Sequence, residues 1–540
     1  MSSESDRVAF DKSVEPYDET VLFQDKKWTF ITDSSSNGGV FNSQIQWDLN
    51  TLSSQSQWID LSQAYVQFPI RVKLRNAGGS SLSTVTTPST LTCLKNNFAN
   101  MIDSVQLVVD GATLQTSQIF ENVAANFRVL SEWSQDTLQK YGDSTGIVFD
   151  NYNNLENVAT LTLIPAIYGI NTTATANTAI NARQQLQNTL ASGSFASSNI
   201  LATQAKNVGK SQVAVVSSAT VAANTHAYTQ FVLATVRLCD ICPCVKDMPM
   251  TRNLKGFLYL NFNSSLTTIT TDAGAALATI STVAQSGRTC PVLINQPDVA
   301  AGNLLKASAT WELECTISGV ATDLTAAQPQ QQNAQLWAPY YVANPTVDSA
   351  LSMKKTYRYL ERNVTTFDIA AGANQTVTLT PGISNADGVL LFPYYTGSST
   401  VSNLLSNPLL SITDTCPATT SPFATLKDLQ VLVGNKPIFN NPINYTSALF
   451  MQEIAQLGAE GGLDNQLASG VLSQQDFERL YNYYYVNVSR RLESEDGSSK
   501  SVIVQATNAT TCNMRVIAMV FYQKEITIDT SSGRVYQGRQ

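Results

Sequence analysis

The sequence predicts an all-β protein made of two tandem antiparallel β-sandwiches with short helices and long surface loops. Three observations carry that prediction. Apolar and polar residues alternate with a period of two in stretch after stretch, the mark of half-buried strands. Helical spacing is confined to short segments. One landmark occurs twice: Met101–Phe127 falls on Thr425–Phe450 at a constant offset of 324 positions, with Gln106 on Gln430, Val109 on Val433 and Ile119 on Ile443. Each copy reads as a strand, a tight turn (Asp110-Gly111, then Gly434-Asn435), a second short strand and a helix. The same offset lays Phe68-Pro69 on Phe392-Pro393.

Taken in order, residues 1–38 are a polar arm with aromatic punctuation (Tyr17, Phe23, Trp28, Phe30), expected to fold against a neighbour. Phe41, Ser43, Ile45, Trp47 and Leu49 alternate with Asn42, Gln44, Gln46 and Asp48, and Val66–Leu74 repeats the device. Asp110-Gly111 suits a type I′ hairpin, whose two central residues both need positive φ. Ile119, Phe120, Val123, Phe127 and Leu130 recur at helical spacing, so 117–131 is predicted to be an amphipathic helix. From about 158 to 225 the composition turns to Ala, Thr and Ser, a long insertion that belongs on a surface loop. Leu305–Ile317 is the clearest alternating strand, and the breaker Ala326–Asn333 after it is taken as the domain boundary. The first sandwich is thus expected over 39–325 and the second over 326–540, beginning with Leu336–Tyr341. In the second, Phe450, Met451, Ile454 and Leu457 mark a helix stopped by Glu460-Gly461-Gly462. YYYVNVS at 483–489 is matched to FLYLNFN at 257–263, now at an offset of 226.

Bulk properties narrow the function. Charged residues make up 14% of the 540 residues, against about 25% in typical soluble domains. Ser, Thr, Asn, Gln and Ala must therefore cover the surface, as suits a subunit that buries its exterior against neighbours. A net charge of −8 argues against a chain whose role is coating nucleic-acid phosphate. The opening residues lack a basic region followed by an apolar core, so no signal peptide is expected. No run reaches the ~20 apolar residues of a membrane-spanning helix. Eight cysteines in such a length indicate a reducing compartment.

Cys239-Asp240-Ile241-Cys242-Pro243-Cys244 is the one segment that invites a chemical reading. A structural zinc site needs four ligands, usually from two separated pairs, and no second pair exists. Buried free thiols in a β-strand are the expected state, ahead of an opportunistic disulfide and of a metal site. His226 is the only histidine and has no nucleophile motif beside it. Gly209-Lys210-Ser211 imitates the end of a phosphate loop, but Gln204 stands where its first glycine belongs. Tyr481, Tyr483, Tyr484 and Tyr485 are expected to fill a core on one strand face and an interface on the other. Lys26-Lys27 and Arg490-Arg491 read as solvated or salt-bridged pairs. The sequence predicts no catalytic residue, no metal site and no cofactor.

The order of motifs carries a family resemblance. QLWAPYYVANP, KKTYRYLERN, VLLFPYY, DLQVLVGNKPIFNNPINYTSALFMQEI, GGLDNQ, YNYYYVNVSRR and VFYQKEITIDTSSGRV follow one another, with VKDMPMTRNLKGFLYLNFN in the first half. Together they resemble the double jelly-roll major capsid proteins of polinton-like viruses and virophages, over roughly residues 39–535. The resemblance implies two eight-stranded jelly rolls, a homotrimer of pseudo-hexagonal outline, and the icosahedral shell of a double-stranded DNA virus. Its implied partners are identical subunits, neighbouring capsomers, a penton protein, and minor or cement proteins, with at most weak contact to packaged DNA. The implied location is the virion, assembled inside the host cell. The insertion and the cysteine cluster match no motif of that pattern. Against this stands a second class, a secreted or surface tandem β-sandwich lectin or adhesin; a β-sandwich glycan hydrolase is a third.

Overall fold

The computed structural model describes residues 22–147, 211–294, 309–320, 331–397, 407–454 and 473–537, apart from short stretches within them. The expectations for 1–21, for most of the insertion, for Gly209 and Lys210, for the helix stop at 460–462 and for Arg490-Arg491 lie outside the described residues. Sixteen strands form the framework. In the first half they are β1 Phe23–Thr32, β2 Gln44–Asp48, β3 Tyr65–Gly79, β4 Ile102–Val109, β5 Ala112–Gln115, β6 His226–Arg237, β7 Gly256–Phe262 and β8 Gln335–Ala343. In the second they are β9 Lys354–Ile369, β10 Asn374–Ser384, β11 Ala386–Gly397, β12 Leu426–Val433, β13 Lys436–Pro437, β14 Tyr484–Asn487, β15 Ser499–Asn508 and β16 Asn513–Asp529.

Pairing follows one permutation twice. In the first half β1-β8-β3-β6 make one sheet and β2-β7-β4-β5 the other, all antiparallel. In the second half β9-β16-β11-β14 and β10-β15-β12-β13 repeat that order. Each half is therefore an eight-stranded jelly roll. The alternation seen in the sequence sets the cores. Ile45 and Trp47 of β2 face Val66, Phe68, Ile70, Val72 and Leu74 of β3 across the first sandwich. Val389 and Leu391 of β11 face Leu429, Val431, Val502 and Val504 across the second.

The repeated turns have the backbone that was expected. Asp110 and Gly111 have φ of 49° and 78°, and Gly434 and Asn435 have 56° and 65°, positive at both central positions as type I′ requires. Val105, Leu107 and Val109 face inward as Leu429, Val431 and Val433 do, so the offset of 324 is a true structural register here.

Elsewhere the repeat differs from its sequence outline. Leu336–Tyr341, expected to open the second roll, lies in β8 between β1 and β3 of the first, beyond the expected boundary at Ala326–Asn333. FLYLNFN is β7, in the sheet with β2 and β4, whereas YYYVNVS contains β14, which pairs β11 in the other sheet. The counterpart of β14 is β6. Phe68 points into its sandwich, while Phe392 points out of the second one. Their shared offset thus hides a one-residue slip, which turns a strand's faces over. The arm contributes an edge strand: β1 pairs β8 from Phe23↔Ala343 to Thr32↔Gln335. Finally, the clearest strand in the sequence is not among the sixteen. Ala309–Ile317 pairs β3 and, with Ser265–Asp272 and Thr279–Ser286, widens the first sheet. The first roll therefore carries two insertions, one between β5 and β6 and one between β7 and β8.

Candidate functional site: the seam between the rolls

Helix α1, Glu121–Glu132, follows β5 where the helical spacing predicted it. It is not amphipathic in its setting, because every residue from Glu121 to Ser131 is buried. The reason is the second roll. Phe120, Val123, Phe127 and Leu130 pack on Leu390, Phe392, Tyr483, Tyr485, Ile517, Met519 and Phe521, the outer face of β9-β16-β11-β14. Phe127 lies 5.6 Å from the Tyr483 ring and 5.7 Å from that of Tyr485, stacked on the latter. The tyrosine run divides as its alternation predicted: Tyr481, Tyr483 and Tyr485 fill the seam, and Tyr484 fills the core of the second roll.

A second connection runs the other way. β9 and β16 are 16 and 17 residues long and stay paired from Lys354↔Asp529 to Ile369↔Met514. This ribbon overshoots its own sandwich, and Tyr357, Tyr359, Ile526 and Ile528 at its far end join the core of the first roll. Burying each such side chain is worth about 2 kcal/mol. Tyr359 donates its hydroxyl to the Leu114 carbonyl in β5, and burial pushes its pKa up, so it stays a donor.

Charge is buried along the same seam. Glu121 has no exposed side-chain surface and accepts from Arg128 at 2.9 Å and from Arg362 of β9. Arg362 also donates to the carbonyls of Gln118 (2.9 Å) and Ile119 (3.3 Å), and Arg128 donates to that of Asp240. Burial lowers the pKa of Arg362, and the Glu121 carboxylate opposes that shift. Nearby, Glu361 accepts from the Thr116 amide at 2.8 Å, the Tyr522 hydroxyl at 3.0 Å and Lys524 at 3.1 Å. Lys524 reaches on to the carbonyls of Thr113 and Leu114. A third tie is Arg252, which bonds Asp348 at 2.8 Å and lies 5.2 Å over the Trp58 ring. Buried ion pairs add little net stability, but they fix one arrangement, because any shift strands a charge.

The cysteine cluster lies beside this seam. Cys239 belongs to a one-turn helix, Leu238–Ile241, and Cys242 and Cys244 follow it, so they are not in a strand as expected. All three are free and buried, with Sγ of Cys242 and Cys244 3.3 Å apart. Burial pushes the Cys239 thiol up to about 11. Among the described residues, no group of three or more His, Cys, Asp or Glu side chains is placed to hold a metal ion. A cavity of about 290 Å³ opens between Phe127, Arg128, Cys239, Lys246, Tyr359 and Phe521. At its wall Lys246 pairs with Glu132 at 3.2 Å and Arg358 with Glu525 at 2.8 Å. His226 begins β6 opposite Arg75, and Lys27 bridges Asp25 at 3.3 Å on the exposed edge strand. Among the described helices, none is long and apolar enough to cross a membrane.

Two jelly rolls of identical strand order, joined in one chain by a shared helix and a shared ribbon, define the double jelly-roll class. No protein-family profile matches the chain, and no curated protein matches it in sequence. Solved structures do. A chain of the Sputnik virophage, from its 3.5 Å cryo-EM structure, aligns with TM-score 0.55 at 10% identity, covering 100% of this chain and 93% of that one. The mavirus major capsid protein aligns with TM-score 0.48 at 12% identity, covering 97% and 93%. For the Faustovirus major capsid protein the TM-score is 0.45 at 9% identity, covering 97% and 94%. At 10% identity the likeness to the Sputnik virophage chain is one of fold: the described residues form a double jelly roll. The seam was missed in the sequence because its parts lie far apart along the chain. The signals available were the helical spacing of Phe120, Val123, Phe127 and Leu130 and the alternating tyrosines at 481–485, each of which marks a buried face without naming its partner.

Proposed function

We propose that this protein is a non-enzymatic major capsid protein, which self-associates as a trimeric, pseudo-hexameric capsomer in the icosahedral shell of a double-stranded DNA virus. The observation that carries this reading is the repeated jelly-roll order locked into one unit by the buried seam. A shell tile needs near-equivalent lateral faces held in a fixed relation. Two rolls welded in one chain supply a third of a hexagon, so three chains close a ring that would otherwise need six independent associations. Each covalent join acts at high effective concentration and avoids a further loss of translational and rotational freedom. The polar, weakly charged surface and the likeness to virophage fold relatives support the same reading. Its partners are then copies of itself, neighbouring capsomers, a penton protein and minor or cement proteins, with at most weak non-specific contact to packaged DNA. Its place is the virion, built inside the host cell. Intersubunit interfaces are expected to bury more than about 2,000 Å², as in obligate assemblies. Size-exclusion chromatography with light scattering, followed by negative-stain imaging of the purified chain, tests this. Trimers of hexagonal outline are expected. A monomer across all salt and pH conditions overturns it.

A further inference from the structure

The cavity of about 290 Å³ beside the cysteine cluster lies between the rolls. It opens where the ribbon β9-β16 leaves its own sandwich: Tyr359 on its wall belongs to the first roll's core, and Phe521 belongs to the seam. The second roll contributes β9 and β16, and the first contributes α1 and the turn after β6. Close-packed interiors hold few voids larger than a water molecule, and elsewhere along the seam rings such as Phe127 and Tyr485 stack and fill the space. Ligand pockets start at about 300 Å³ and favour interfaces between domains. This cavity has the size and the place of a small one.

Its lining has two chemistries. Phe127, Pro243, Leu360, Phe521 and the ring of Tyr359 offer apolar surface. The charged side chains are Arg128, Lys246 and Arg358 against Glu132 and Asp247. Glu132 is engaged by Lys246, while the carboxylates that hold Arg128 and Arg358, those of Glu121 and Glu525, stand outside the lining. Positive charge therefore exceeds negative charge at the cavity itself. Arg128 is buried, whereas Lys246 and Arg358 reach solvent and mark the mouth. An apolar interior with cations at its mouth suits an amphiphile with one anionic head. A cationic head would meet like charge, and a wholly polar molecule would lose its hydrogen bonds against the rings.

We propose that this cavity binds a fatty carboxylate, its alkyl chain lying among Phe127, Leu360 and Phe521 and its head at Lys246 and Arg358. Arginine forks onto a carboxylate through two parallel N–H bonds, and lysine adds a point charge. Because both rolls build the walls, the bound chain adds apolar contact across the seam and stabilises the folded protein by mass action. The site lies within one chain, so it goes beyond the capsomer reading and does not depend on it.

The test titrates the full chain with octanoate, decanoate, dodecanoate and tetradecanoate by calorimetry, each below its micelle concentration, with thermal melting alongside. Each two-carbon step is expected to tighten Kd about 15-fold until the cavity is full, after which affinity levels off. Dodecyltrimethylammonium should bind at least about tenfold more weakly than dodecanoate. Leu360→Trp, which fills the cavity, should abolish dodecanoate binding; Cys239→Met, filling it from the first-roll side, does the same duty should that variant fail to fold by circular dichroism. Lys246→Gln/Arg358→Gln should bind dodecanoate no better than dodecanol. Four results overturn the proposal, whatever the oligomeric state: no binding, affinity that climbs with every added carbon without levelling, a cationic head bound as tightly as the carboxylate, or folded filled variants that bind like wild type.

Discussion

Replacing Glu121 by Ala tests the seam directly. The carboxylate is fully buried and holds two guanidinium groups, Arg128 of its own helix at 2.9 Å and Arg362 of the second roll. At that distance and an effective dielectric near 20, the attraction is about 6 kcal/mol per pair, most of it offsetting desolvation. The decisive quantity is what the substitution leaves behind. Two buried cations lose their counter-charge, at a typical cost of about 3–5 kcal/mol. Arg362 keeps the Gln118 and Ile119 carbonyls and Arg128 keeps that of Asp240, which places the expected loss near 3 kcal/mol, the lower end of that range. The assay is the midpoint of the first transition in chemical denaturation. A companion variant, Glu121→Leu/Arg128→Met/Arg362→Met, removes the charges together and should fall within about 1 kcal/mol of wild type. A Glu121→Ala protein as stable as wild type would refute the reasoning. So would a triple variant as damaged as the single one, since packing rather than stranded charge would then be the cause.

Three further outcomes are expected. Gly256→Ala should cost more than about 3 kcal/mol, because a Cβ there would stand 2.0 Å from the Val108 carbonyl oxygen, backbone that cannot yield without breaking the β7–β4 pairing; thermal melting reads the loss. Burial raises the pKa of Asp240 and of Asp103. A carboxyl whose folded pKa is raised favours the folded state at low pH, and that contribution fades as pH rises from about 4 through the raised value. Asp240→Asn should flatten this part of the stability–pH curve, and an unchanged slope would contradict the assignment. With its thiol held at about 11 and most of its surface covered, Cys239 should resist Ellman's reagent at neutral pH, as should the buried Cys242 and Cys244; all three should react once the chain is unfolded, as measured by absorbance.

The all-β class, the paired turns and many inward-facing residues were legible in the sequence, because they depend on neighbours two to four positions away. Asp110-Gly111 and Gly434-Asn435 announce their hairpins through the positive φ that their side chains tolerate. Ile45, Trp47, Val66 and Phe68 announce a buried face through period two alone. Strand partners were not legible in this way. FLYLNFN and YYYVNVS have the same local texture yet sit in different sheets, and Gln335–Ala343 reads as the start of one roll while completing the other. Alternation says that a face is buried, not what buries it. The seam shows the same division. Spacing placed the α1 helix, but only the folded chain brings Glu121 to Arg362 and lays Phe127 on Tyr485, across more than two hundred residues. Local backbone preference is written into adjacent side chains. Which surfaces meet is decided by the shape and charge of whole faces, and those exist only after folding.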